Sequence, residues 1–280
     1  MQIKNFLGQS PAGFHKVVYA EWGEATPDQS TTICVHGLTR NGRDFDRLAE
    51  TLRQHSHVFC PDIVGRGHSD WLANPAFYSY PQYLSDITAL IARTGAIQID
   101  WVGTSMGGLI GLLLAAQPNS PIRKLVLNDV GPFIAMAALQ RIGTYVSIVP
   151  DFANADETER YMRQIYMPFG LLSDSDWQHL AAHGTRVLPN GRLALAHDPA
   201  IAQNFVGLAQ DVDLWAAYDN ITCPVLLLRG EYSDLLTADI ATQMTHRGPR
   251  AKLVTFPKAG HAPALMDPVQ IKTIANFLVD

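Results

Sequence analysis

Six short runs of apolar and β-branched residues recur along the chain: Thr31 to Val35 (TTICV), His57 to Pro61 (HVFCP), Ile99 to Thr104 (IDWVGT), Lys124 to Asn128 (KLVLN), Val225 to Arg229 (VLLLR) and Lys252 to Phe256 (KLVTF). They lack the regular apolar/polar alternation that a strand with one wet face must show. Runs of this kind predict strands covered on both faces, as in a parallel sheet. An earlier run, Lys16 to Trp22 (KVVYAEW), alternates more and suits a hairpin strand near the sheet edge. Helical patterns separate the runs: Asp44 to Gln54, Pro81 to Arg93, Met106 to Gln117, Ala238 to Thr245 and Pro268 to Leu278. Strand and helix in repetition predict an α/β fold with a doubly wound sheet.

The repetition stops after Asp129 and resumes only at VLLLR. A stretch that long is too great for an ordinary connection in a compact domain, so it predicts an inserted lid. The expected division is a core of residues 1–131 and 211–280, with a helical cap over 132–210. Apolar and aromatic clusters in the insertion (Tyr145, Val146, Ile148, Val149, then Tyr161, Ile165, Tyr166, Met167, Phe169) predict short helices broken at Pro150, Pro168 and Pro189. Most of these residues are expected to be lid core. The remainder would roof a pocket at the carboxyl ends of the strands, where open α/β sheets bind ligands, and an apolar substrate portion follows.

With 280 residues, 47% hydrophobic and 17% charged, the chain has the composition of a globular protein with a sizeable core. A formal net charge of -5 with scattered Lys and Arg gives no basic stripe, which argues against nucleic acid as a partner. The start, MQIKNFLGQS, lacks the apolar core of a signal peptide, and the run Leu109 to Ala116 is too short to span a bilayer. A cytoplasmic protein with no membrane partner is expected. Cys34, Cys60 and Cys223 form no CxxC pair and read as buried small hydrophobes. No heptad run assigns an oligomeric state.

Within this frame Gly103-Thr104-Ser105-Met106-Gly107 matches G-x-S-x-G, directly after a predicted strand and directly before a predicted helix. A strand that reverses sharply into a helix strains the serine backbone, and side chains two residues either way would collide, hence the glycines. Ser105 is the candidate nucleophile. Its hydroxyl needs a base. His261, in AGHAPALMDP after the last predicted strand, is the candidate, because hydrolases built on this turn run Ser, then Asp or Glu, then His. Two aspartates at strand ends could orient that histidine: Asp234 in RGEYSDLL is preferred, with Asp129 in NDVGP as the alternative and otherwise a structural carboxylate at the lid entrance. The oxyanion of acyl transfer needs two N–H donors, and the candidates are the backbones of Met106 and of Leu38 in HGLT. His36 is expected to shape that loop. Arg40 and Asn41 either touch substrate or lie in a solvated loop. No Walker loop, GxGxxG fingerprint or zinc-site spacing occurs, so neither a cofactor nor a metal is expected.

Taken together, HGLTRNG, PDIVGRGHSD, GTSMGG, RGEYSD and GHAPAL resemble, in order and spacing, the α/β-hydrolase superfamily across nearly the whole chain. The resemblance implies an eight-stranded, mostly parallel sheet with a cap between the sixth and seventh major strands, and it supports Ser105, Asp234 and His261 as the triad. It also makes Asp62 to Ser69 the turn after the fourth strand, with Gly65 and Gly67 there for backbone geometry. Within the superfamily the chain is similar to small bacterial esterases, lactonases and C–C hydrolases of ring-cleavage products. It departs from the last group, which carries a glycine-rich run where HGLTRNG stands. A serine at position 105 argues against haloalkane dehalogenases. The expected function is therefore a serine hydrolase that cleaves a carboxylic ester, thioester or lactone of a small, partly apolar substrate through an acyl-enzyme. The alternatives are C–C hydrolysis and a ligand-binding protein that does not catalyse.

Overall fold

The computed structural model describes residues 1–26, 29–207 and 209–279; Leu208, within the expected insertion, lies outside them. The chain opens with a hairpin, β1 (Gln2–Ser10) and β2 (Gly13–Trp22), followed by β3 (Ser30–Val35), α1 (Asp46–Leu52) and β4 (Ser56–Pro61). Next come α2 (Tyr80–Thr94), β5 (Ile99–Thr104), α3 (Met106–Ala115) and β6 (Ile122–Asn128). After an intervening segment, α7 (Trp215–Asp219), β12 (Val225–Gly230), α8 (Ala238–Met244), β13 (Lys252–Phe256) and α9 (Pro268–Val279) complete the chain. The intervening segment holds β7 (Phe133–Ile134), α4 (Met136–Val146), β8 (Asp151–Phe152), α5 (Ala155–Ile165), α6 (Asp174–His183), β9 (Thr185–Val187), β10 (Leu193–Leu195) and β11 (Val212–Asp213).

Eight strands form one sheet in the order β1-β2-β4-β3-β5-β6-β12-β13. The first two pairings, β1 with β2 and β2 with β4, are antiparallel. All the others are parallel. The absence of polar alternation has a direct cause. Along β3, β5, β6 and β12 successive side chains enter two different cores: Ile33, Val35, Trp101, Leu125, Leu127 and Leu227 face one. Cys34, Val102, Val126, Leu226 and Leu228 face the other. Because a strand alternates sides residue by residue, burial on both faces makes apolar residues dominate the middle of each strand, and the buried Asp100 of β5 is tolerated by pairing with Arg123 of β6 at 2.6 Å. Helices α2 and α3 cover the first face through Ile87, Leu90, Ile110 and Leu112, and α1 and α9 cover the second through Leu48, Leu52, Ile274 and Leu278. Cys34 and Cys60 are buried, Cys223 is partly so, and none is paired.

The segment between β6 and β12 departs from and returns to the sheet through a two-residue antiparallel ladder of β7 with β11, pairing Ile134 with Val212 and Phe133 with Asp213. It has its own small core of Met162, Trp177, Leu180 and Ala181, closed by Met266 from the sheet side. A three-stranded sheet in the order β8-β10-β9 braces it. Among the described residues, four backbone bonds tie it to loops at the carboxyl ends of the parallel strands. Gly67 N–H donates to Ala196 O (2.7 Å), Asp198 N–H to Gly65 O (2.8 Å), Gly260 N–H to Pro168 O (2.7 Å) and Ala264 N–H to Phe169 O (3.2 Å). Among the described residues no helix is long and apolar enough to cross a membrane.

Candidate active site

The turn between β5 and α3 carries Ser105 at φ 51° and ψ -113°, in the positive-φ region that a residue with a side chain rarely occupies. Its N–H is held by Asn128 O at 3.0 Å. The flanking glycines are obligatory for this shape: a Cβ on Gly103 would run into the backbone of Gly107, and a Cβ on Gly107 into the carbonyl of Val35. Compression of the turn lifts the Ser105 hydroxyl clear of the sheet, at the N-terminus of a ten-residue helix.

Ser105 Oγ lies 2.9 Å from His261 Nε2, and His261 Nδ1 lies 2.8 Å from Asp129 Oδ2. A carboxylate only accepts, so Nδ1 carries the ring proton and Nε2 is left to accept from the serine hydroxyl. Asp129 is fully buried at the end of β6. Its Oδ1 accepts the N–H of Gly230, the last residue of β12 (2.8 Å), and its Oδ2 the hydroxyl of Ser233 in the loop that follows (2.6 Å). No spacing signal in the sequence marks the Ser233 contact, although Ser233 directly precedes Asp234.

Asp234 does not meet His261. Its carboxylate pairs with Arg141 of α4 at 2.6 Å, with both side chains more than half exposed at the rim. The physical reason is local. Ser233 N–H bonds back to Gly230 O, and the Ser233 hydroxyl turns in to Asp129, so the next side chain points out toward the insert. The carboxylate that meets His261 is that of Asp129, directly after β6, and not that of the preferred Asp234.

Leu38 and Met106 both line the cavity above Ser105, and their N–H groups donate to no acceptor among the described residues. His36 shapes the Leu38 loop: its Nε2 accepts from Ile63 N–H (2.9 Å), so Nδ1 bears the proton and donates to Gly37 O (2.7 Å). Burial pushes its pKa down to about 3, which keeps the ring neutral in this bridging role. Arg40 and Asn41 are not solvated. Arg40 is buried against Asp44, with its guanidinium over the Tyr166 ring, and Asn41 Nδ2 donates to His183 O at 2.8 Å. Both residues fasten the loop to the insert.

Asp46, His179 and His183 form the one group among the described residues whose ligand atoms lie close enough for a metal. Arg43 already bonds the Asp46 carboxylate and reaches His183 Nδ1 at 3.4 Å, so a fixed cation stands where an ion would sit. Burial, then Arg43, lowers the His183 pKa to about 4.

The cavity over Ser105 has a volume of about 1160 Å³, slightly above the roughly 300–1,000 Å³ common for small-molecule pockets. Sheet loops form its floor and the insert its walls, with Ile142, Tyr145, Tyr166, Phe169, Ile201 and Phe205 among the wall residues.

Residues 32–268 match the family model described as the alpha/beta hydrolase fold. The 3-hydroxybutyrate-oligomer hydrolase of Cupriavidus necator is 42% identical over 96% of this chain and 94% of its own length. A crystal structure from Rickettsia typhi, 31% identical, superposes with a TM-score of 0.93 over 100% of this chain and 99% of that one. An alpha/beta hydrolase from Novosphingobium aromaticivorans, 35% identical, gives 0.88 over 99% and 98%. The chain belongs to the α/β-hydrolase family.

Proposed function

We propose that the protein hydrolyses carboxylic esters through Ser105, His261 and Asp129, and that its substrates are short oligoesters of hydroxy acids of the 3-hydroxybutyrate kind. The observation that carries the first half is the unbroken hydrogen-bonded chain from Ser105 Oγ through His261 to a fully buried Asp129. In the first half-reaction Ser105 Oγ attacks the ester carbonyl carbon while His261 Nε2 takes its proton. The oxyanion is met by the N–H groups of Leu38 and Met106. As the carbon–oxygen bond to the alcohol breaks, His261 returns the proton to the leaving oxygen. Water, deprotonated by the same nitrogen, then attacks the acyl-serine, frees the acid and restores the Ser105 hydroxyl. Asp129 keeps the Nδ1 tautomer and stabilises the imidazolium. A thioester or lactone passes through the same oxyanion.

The substrate class rests on the kinship with the oligomer hydrolase and on a roomy cavity with apolar and tyrosyl walls, which suits a chain of methyl-bearing ester units. In this reading residues 132–210 are a cap that selects the substrate, and 1–131 with 211–280 form the core that performs the chemistry. The test pairs wild type with Ser105→Ala. A fluorophosphonate probe should label only wild type, and wild type should release 3-hydroxybutyrate from its dimer and trimer. A wild-type protein that is unlabelled and inert toward short p-nitrophenyl esters overturns the enzymatic reading; labelling without oligomer cleavage overturns the substrate class alone.

A further inference from the structure

Arg66, in the turn between β4 and α2, is fully buried, yet among the described residues it forms no ion pair with a carboxylate. A guanidinium cannot shed its proton, so a full positive charge is held inside the protein and satisfied only by neutral groups. Two of those partners belong to Leu38 and Met106, which line the cavity over Ser105. Nε donates to Leu38 O at 2.8 Å, Nη1 to Val64 O at 2.8 Å and to Tyr83 Oη at 3.0 Å, and Nη2 contacts Met106 Sδ at 3.6 Å. The Tyr83 and Tyr78 rings stand 5.1 and 5.7 Å from the guanidinium carbon.

We propose that Arg66 is a positioning residue for the oxyanion donors, joining the Leu38 and Met106 segments and setting a fixed positive charge behind them. The inference rests on the esterase reading of Ser105. The two peptides that flank Leu38 are clamped from opposite ends: His36 holds the carbonyl of Gly37 and Arg66 the carbonyl of Leu38. The rotation of the Leu38 N–H is thereby fixed before substrate arrives. On the far side the same guanidinium touches the side chain of the residue that supplies the second N–H. No carboxylate bonds the guanidinium directly, and the buried Asp198 carboxylate is engaged by the Tyr78 hydroxyl (2.6 Å) instead, so the charge keeps part of its field in a poorly screened interior. The turn itself is secured by the insert, since Arg66 bridges His197 while Gly65 and Gly67 bond Asp198 and Ala196.

The test compares wild type, Arg66→Met, Arg66→Lys and Ser105→Ala. It measures kcat and KM for p-nitrophenyl butyrate, the affinity of an alkyl boronic acid that forms a tetrahedral adduct on serine, and the Tm of each. Removal of a direct oxyanion donor costs roughly 10²–10³ in kcat, so loss of its support should cost about 10–100-fold. Arg66→Met is expected to lower kcat by that factor with KM within about threefold, and to weaken the boronate by a similar factor; Arg66→Lys should recover part of both. A folded Arg66→Met with kcat and boronate affinity within about threefold of wild type overturns the proposal. If Arg66→Met does not fold, Arg66→Lys decides: it keeps the charge but cannot bridge the same acceptors, and an unaltered kcat overturns the proposal equally. Wild type as inert as Ser105→Ala removes the esterase reading itself, and the Arg66 role with it.

Discussion

Asp129 sits at φ 58°, a conformation that swings its side chain off the end of β6 toward the neighbouring loop. Both aspartates considered as the acid follow a strand, and sequence spacing ranks only strand ends; it does not report which way a side chain leaves the backbone. The decision lies in contacts more than a hundred residues apart, Asp129 with Ser233 and His261. Asp129→Asn should therefore lower kcat by about 10⁴-fold, as loss of the tautomer-fixing acid does elsewhere, while Asp234→Asn should stay within about threefold; p-nitrophenyl ester kinetics on both variants check this. His197 tests the electrostatics separately. Burial, then Arg66, lowers its pKa to about 4, and its Nδ1 has no partner among the described residues. A histidine pKa depressed by folding means that the unfolded chain binds the proton first. His197 therefore contributes stability above pH 6.5 that is lost as pH falls toward about 4. The unfolding free energy of wild type minus that of His197→Phe should shrink over that window in urea titrations, and a constant difference would show that the imidazole is not held neutral.

The elements divide by what their sequences must satisfy. Strands β3, β5, β6 and β12 are legible because two-sided burial makes their central residues apolar on both faces, and α3 is legible because the glycine-framed serine marks its start. Strand β1 pairs along its length with β2, the partner that an edge hairpin and an eight-stranded sheet require, yet its own run does not stand out, since one-sided burial at an edge leaves a mixed pattern, QIKNFLGQS, with five of its nine residues exposed. The two- and three-residue strands of the insert are too short to display any period. The turn into α3 carries its own prediction. Gly107→Ala forces a methyl group into the Val35 carbonyl, so the Tm should fall by several degrees and activity by at least about tenfold, read by calorimetry and ester turnover. A variant with unchanged Tm would mean that the backbone there yields more easily than its packing implies.

At the scale of the molecule, the insert touches the loop of Leu38 through Thr39–Tyr166 (3.1 Å), the turn of Arg66 through Ala196 and Asp198, and the loop of His261 through Pro168 and Phe169. The cavity walls and the loops of Leu38, Arg66 and His261 are one packed body, whereas the Arg141–Asp234 pair at the rim is solvent-exposed and contributes little to stability. An apolar cavity of this size should reward longer acyl groups. Each buried methylene is worth about 0.8 kcal/mol, or a factor of about four in kcat/KM, until the space is filled. A series of p-nitrophenyl esters from acetate upward measures that slope, and a flat series would mean that the walls do not hold the acyl chain. The β7–β11 ladder has a different consequence. Since the chain leaves and re-enters the sheet through two adjacent paired residues, a relative's segment spliced between Ile134 and Val212 makes a two-join graft. With partners kept for Thr39, Gly65, Gly67 and Gly260, the recipient would acquire a new appetite and keep its old teeth.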